Sequence, residues 1–282
     1  MKAAVLAYHS HRVLGSTYES NDHIALAADL ETLDKCGYEI VGLPRLCGEI
    51  DRRSVSLTLI GDRRRLVALT FDDGPEYDAI DFAHPEFGPQ RSFLRLMHEF
   101  GTARKTRRQR RICATSFVIA SPAARQVMEK AFDPAFHFLT EGSMNDRWWN
   151  PAIDSGMMAI ANHSWDHLHP ALASVAHSRQ QKGSFRVVDN ERDAQSQIDD
   201  AWTFINDKTL GRAAPYFAFP FGQYNDYLVD SYLPHYGFRH RMLAAFSTAG
   251  RMLDDRVNRW CIPRLTSGDH WKTPDEFAAL LL

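Results

Sequence analysis

Short apolar runs alternate along this chain with amphipathic stretches, and that alternation sets the expected architecture. Residues 3–8 form an apolar run of strand length that ends at His9. After a polar loop, Leu26, Leu30 and Leu33 recur at helical spacing, which predicts a helix over 23–36 stopped by Gly37. Further apolar runs predict strands over 38–43, 65–71, 112–119, 157–161, 215–219, 243–246 and 260–262. Helices are expected over 93–100, 122–132, 227–232 and 275–280, and around Ala194, Ile198, Trp202 and Ile205. The stretch 76–91 is aromatic, acidic and broken by Pro85, Gly88 and Pro89, so it reads as a long ordered loop. The strand runs are continuously apolar rather than alternating, as in a mainly parallel sheet covered by helices. No repeat or linker interrupts this order, and residues 1–282 read as one domain.

Composition narrows the picture. With 282 residues and 44% hydrophobic content the chain can build one substantial core. A formal net charge of -2 gives no global attraction to nucleic acid or to a membrane surface. Cys36, Cys47, Cys113 and Cys261 are scattered without a Cys-x-x-Cys pair, against a zinc knuckle or a redox dithiol. The apolar start is too short for a signal peptide and no run reaches membrane-span length. The expected compartment is therefore the cytoplasm, without stable membrane insertion. The basic run 104–111 suits phosphate, as on an anionic lipid carrier or a nucleotide-sugar, but equally a solvated surface; no nucleic-acid-binding motif accompanies it. There is no dinucleotide fingerprint or phosphate loop, and Ser10, Ser164 and Ser267 lack a nucleophile elbow.

The chemistry concentrates at two strand ends. Asp72 and Asp73 follow the run 65–71, where two adjacent carboxylates have no packing purpose and need an ion or an arginine as compensation. Alone, they also fit an ordinary turn before Gly74-Pro75. Asn162-His163-Ser164-Trp165-Asp166-His167 follows the run 157–161 and offers two imidazoles four apart, which would share a face on a helical turn. One carboxylate with two histidines is a facial ligand set for a catalytic divalent ion, with the second carboxylate left as a base. His169 and His177 read as ordinary histidines of a His-rich neighbourhood. Both motifs sit at C-terminal strand ends, where ligands bind in open α/β sheets and in barrels.

Thr70-Phe71-Asp72-Asp73-Gly74 together with His163-Ser164-Trp165-Asp166-His167 resembles the polysaccharide deacetylase family, the NodB-homology domain of carbohydrate esterase family four. The opening Leu6-Ala7-Tyr8-His9 is similar to a bacterial subgroup that begins with a Tyr-His strand. Ala114-Thr115-Ser116-Phe117-Val118 resembles the family's central strand, and Phe217-Ala218-Phe219-Pro220-Phe221-Gly222 its third motif. The resemblance implies an α/β fold, a distorted (β/α) barrel of about seven strands. It also implies metal-dependent hydrolysis of an N-acyl, foremost N-acetyl, group on an amino sugar or polysaccharide, with Zn2+ as the first choice of ion. Carried over by position, it makes Asp73, His163 and His167 the metal ligands and Asp72 the general base. The oxyanion would be held by the metal and by the backbone N–H of Phe221.

The chain also departs from that family. Ala218 stands where the third motif carries an arginine that orients the base, and Phe221 where tyrosine is common. Arg264, in Cys261-Ile262-Pro263-Arg264-Leu265, resembles the proline-arginine ending of the Tyr-His subgroup and is the candidate to cross the barrel mouth to Asp72. The plain alternative is a surface arginine. No leucine-histidine acid is found; His270 and His9 are candidates to protonate the leaving amine, with Asp72 in both roles, or no catalysis, as the other options. Trp148 and Trp149 would either stack on a sugar or pack locally. The expected activity is thus metal-dependent N-deacylation of an amino sugar or glycan. A small-molecule amide hydrolase or deformylase of the same superfamily is one alternative, and an inactive glycan-binding protein the other.

Overall fold

Nine strands gather the apolar runs into one parallel sheet that wraps into a barrel. The structure, a computed structural model, describes residues 2–55, 64–103, 112–254 and 256–282. The strands are β1 (Lys2–Tyr8), β2 (Glu39–Ile40), β3 (Arg65–Phe71), β6 (Ala114–Val118), β7 (Met158–Asn162), β8 (Tyr216–Ala218), β9 (Ala244–Ser247), β10 (Ile262–Pro263) and β11 (Leu265–Thr266). Their order is β10-β9-β8-β7-β6-β3-β1-β11, with β2 beside β3. The short strands β4 (Phe82–His84) and β5 (Gly88–Gln90) form a separate antiparallel hairpin inside the predicted loop 76–91.

The closure depends on one extended segment. Ile262 and Pro263 pair with Phe246 and Ser247 of β9, whereas Leu265 and Thr266 pair with Leu6 and Ala7 of β1. Only Arg264 separates β10 from β11, so a single pass of chain joins the two ends of the sheet. Counting that pass as one strand, the nine-stranded sheet is a nearly closed barrel of eight parallel strands, the architecture that the sequence implies. Inside it pack Ala3, Val5, Leu66, Ala68, Phe117 and Phe246, at alternate positions of their strands. Small side chains at several of these positions leave room for a large one, and the fully buried Arg264 lies over the Phe117 ring at 5.4 Å.

Helices cover the outside: α1 (Asp22–Lys35), α2 (Leu43–Val55), α3 (Phe93–Ala103), α4 (Pro122–Ala131), α5 (Trp149–Asp154), α6 (Glu191–Ala194), α7 (Asp200–Lys208), α8 (Leu233–His235), α9 (Gly237–His240) and α10 (Pro274–Leu281). Asn21 caps α1 by accepting the His23 N–H, and Ser121 caps α4 by accepting that of Ala124. A π-helical stretch, Gln195–Asp199, joins α6 to α7. Four helices depart from the sequence reading. The run 38–43 is strand only at Glu39–Ile40, and Leu43 already opens α2, whose Leu43, Leu46, Cys47 and Ile50 bury one helical face. The others are α5, which starts within the tryptophan pair, and α8 and α9, which follow the expected helix end at residue 232. The basic run 104–111 lies outside the described residues. Among the described residues no helix is long and apolar enough to cross a membrane.

Candidate active site

Thr70 and Asp72 share the inward parity of β3, and Arg264 meets them from the closing segment. Its Nη1 donates to Asp72 Oδ1 at 2.6 Å and its Nη2 to Asp72 Oδ2 at 2.7 Å, a two-pronged fork. Nη1 also donates to Thr70 Oγ1 at 3.1 Å and Nε to the Ser247 carbonyl at 3.3 Å. Burial raises the Asp72 carboxyl, but the Arg264 charge, with His163 and the forked hydrogen bonds, outweighs it and holds the group below the ordinary carboxylate range.

Asp73 turns the other way. Its φ of 70° and the 72° of Gly74 put two successive residues in the left-handed region, which bends the chain sharply off β3. Asp73 Oδ1 then lies 3.5 Å from His163 Nε2 and 3.5 Å from His167 Nε2. The two histidines do not share a helical turn. They sit on a loop in which Ser164, His167 and Leu168 all have positive φ. Side chains hold it: Asn162 Oδ1 accepts the Ser164 N–H at 2.8 Å, Ser164 Oγ the His167 N–H at 3.0 Å, and Asp166 Oδ1 the Leu168 N–H at 3.0 Å. Gln197, from the π-helical stretch, braces Asp166 at 2.8 Å. The Ala218 carbonyl engages His163 Nδ1 at 2.9 Å, which turns Nε2 towards Asp73.

One ligand atom from each of Asp73, His163 and His167 fits within 4.8 Å of the others. Asp73 Oδ1 is buried with no hydrogen-bond partner among the described residues, a position that a cation would satisfy. Burial pushes His167 down to about 3, with Asp73 opposing, so its imidazole is neutral and its lone pair free near neutrality. Burial raises the Asp73 carboxyl, yet the surrounding His167, His11 and His163 bring it below the ordinary range. Two imidazole nitrogens and an ionised carboxylate are a donor set suited to a borderline-soft divalent ion such as zinc. The groups face a cavity of about 300 Å³.

The family model for polysaccharide deacetylase matches residues 60–239, more than half of the chain. The chain belongs to this family. No curated protein matches it. Among solved structures, IcaB from Ammonifex degensii aligns over 99% of this chain and 97% of its own, with TM-score 0.62 and 18% identity. The Streptococcus pyogenes deacetylase PplD, in complex with acetate, aligns over 100% and 99%, with TM-score 0.60 and 14% identity. A de-N-acetylase from Aggregatibacter actinomycetemcomitans aligns over 98% and 100%, with TM-score 0.58 and 14% identity. At these identities the likeness speaks for the fold.

The remaining candidates of this polysaccharide deacetylase family member divide. His9 and Phe221 line the cavity. The Phe221 ring meets that of His167 at 4.4 Å, and the turn's hydrogen bonds, Gly222 N–H to Phe219 O and Gln223 N–H to Pro220 O, leave the Phe221 N–H without an acceptor among the described residues. His270 does not line it: its Nδ1 accepts the Thr266 N–H at 2.9 Å and its ring packs against Gly250, while Asp269 takes the cavity position. Trp148 and Trp149 are not a sugar platform either. Both are in the core at 2% and 0% exposure, because α5 packs on β7, with the Arg125 guanidinium over Trp149 at 5.2 Å. His169 lines the cavity, whereas His177 is held in the interior by the Val187 carbonyl.

His11 is absent from the sequence reading. Its Nε2 lies 3.6 Å from Asp73 Oδ2, on the side opposite the other two imidazoles, and its ring meets that of His137 at 4.7 Å. Burial pushes it down to about 3. Its one signal in the sequence is its place two residues beyond His9, in the turn that follows β1.

Proposed function

We propose that the protein is a metal-dependent N-deacylase that hydrolyses the amide of an N-acylated, foremost N-acetylated, amino sugar or glycan. The observation that carries this reading is the Arg264 fork on Asp72 beside an Asp73 oxygen with no hydrogen-bond partner among the described residues and the two imidazoles of His163 and His167. Two adjacent carboxylates in different environments suit two different tasks. Asp73, His163 and His167 would hold a divalent ion, zinc as first choice. When bound, that ion polarises the acyl oxygen and makes its water acidic enough to attack near neutral pH.

The protein's own groups account for the rest. Asp72, ionised and fixed by Arg264, accepts the proton of the attacking water at a carboxylate oxygen. The unused Phe221 N–H donates to the oxygen that becomes negative in the tetrahedral intermediate. The departing amine takes a proton either from Asp72 or from His9, which shares the cavity. His163 keeps its orientation through the Ala218 carbonyl, and the loop around His167 keeps its bend through Asp166 and Gln197.

Acetate release from N-acetylglucosamine oligomers tests the proposal. The purified protein releases acetate, chelation abolishes release, and zinc restores it. No release by zinc-loaded protein, or release indifferent to chelation, would contradict it.

A further inference from the structure

Three imidazoles surround the Asp73 carboxylate, and only two of them belong to the ligand set. Oδ1 lies 3.5 Å from Nε2 of both His163 and His167, whereas Oδ2 lies 3.6 Å from Nε2 of His11. His11 is not a fourth ligand in this arrangement: among the described residues only Asp73, His163 and His167 bring ligand atoms within 4.8 Å of one another. The chain fixes His11 from several directions. Its carbonyl accepts the Val13 N–H at 3.1 Å and the Phe138 N–H at 2.6 Å. Ser10, just before it, donates from Oγ to Asp78 Oδ1 at 2.5 Å, and its carbonyl meets His23 Nε2 at 2.8 Å. The buried His11 ring packs against those of His9 at 5.5 Å and His137 at 4.7 Å. A side chain held at this many points has little freedom left to lose when it engages a partner.

The surroundings also place the hydrogen of the ring. Nδ1 is buried and has no hydrogen-bond partner among the described residues. A neutral imidazole with its hydrogen on Nδ1 would bury an N–H without an acceptor and turn the Nε2 lone pair on a carboxylate. With the hydrogen on Nε2 an N–H faces Oδ2 instead, and a charged ring would carry hydrogen there in any case. The last torsion of an aspartate is broad, so a carboxylate with nothing at its second oxygen is free to swing. We propose that His11 is a positioning residue of the candidate metal site: its Nε2–H holds Asp73 Oδ2 and so keeps Oδ1 turned towards His163 and His167. The inference rests on the metal-dependent reading and assigns one more residue within it.

The test measures zinc affinity by competition with a chelating dye for the wild type, His11→Gln, His11→Asn and His11→Leu, with the thermal midpoint of each metal-free protein alongside. Glutamine carries an amide N–H to about the place of Nε2, asparagine is shorter and ends near that of Nδ1, and leucine only fills space. His11→Asn and His11→Leu should weaken zinc binding by about 10–100-fold, with His11→Gln within about threefold of the wild type. The glutamine–asparagine pair decides the matter even where the leucine variant does not fold. Unchanged affinity in His11→Asn overturns the inference. A His11→Gln loss equal to that of His11→Asn also overturns it, as does a loss that merely follows the metal-free midpoints across the variants. Zinc binding absent from the wild type overturns the metal-dependent reading itself.

Discussion

Arg264 meets Asp72 across 192 residues of sequence, and both are nearly inaccessible to solvent. Arg264→Met would leave the Asp72 carboxylate buried and unpaired, a loss of about 3–5 kcal/mol in urea denaturation. Arg264→Lys keeps the charge but not the planar fork, so its stability should fall between the two. Gly74 is a second sensitive position: at φ +72°, a Cβ would sit 2.6 Å from Val118 Cγ1 and 3.0 Å from its Cα. Gly74→Ala should cost more than about 1 kcal/mol, read as a lower urea midpoint. These particular residues show what sequence can carry. The Asp72–Arg264 contact was legible because a buried carboxylate demands a cation and few candidates were available. His11 was not, because an extra histidine past a strand end has no pattern of its own. Of the two readings open for the tryptophan pair, local packing holds: both rings join one core cluster, which adjacency in sequence alone does not decide.

Among the elements, those with a strong period or a long apolar run were legible, notably α1, β1 and β3. α2 carried its signal, in Leu43, Leu46, Cys47 and Ile50, but the preceding strand-like run obscured it. Strands as short as β10 and β11 carry no period, so of the closing segment only a strand over 260–262 was expected, and its role in joining the two sheet ends emerges from its pairing. The histidine loop depends on a distant element. Gln197, from the π-helical stretch, donates to Asp166 at 2.8 Å and to the Ala176 carbonyl at 3.1 Å. Gln197→Leu should weaken zinc affinity by about 10–100-fold in competition with a chelating dye, with less effect on the thermal midpoint. Unchanged affinity would mean that the loop holds its bend without this brace.

At the scale of the molecule, two buried acids outside the ligand set make stability depend on pH. Burial pushes Asp29 up to about 7 against the hydrogen bonds of Tyr18, Tyr8 and Trp271. Burial likewise lifts Asp78 to about 7; Ser10 and Ser116 oppose the rise, and the charges of Asp72 and Asp73 add to it. A folded-state pKa above the unfolded value favours the neutral acid in the folded protein. This contribution is complete below about pH 4 and declines until the pH passes about 7. Relative to wild type, Asp78→Asn should therefore lose less, or gain more, in urea midpoint between pH 5 and pH 8. The central claim is the division of labour between two neighbouring carboxylates, and its most direct measurement is zinc content and acetate release on Asp72→Asn and Asp73→Asn side by side. The account predicts that Asp72→Asn keeps its zinc and loses turnover, whereas Asp73→Asn loses both. Wild-type turnover by Asp72→Asn, or full zinc retention by Asp73→Asn, would contradict it.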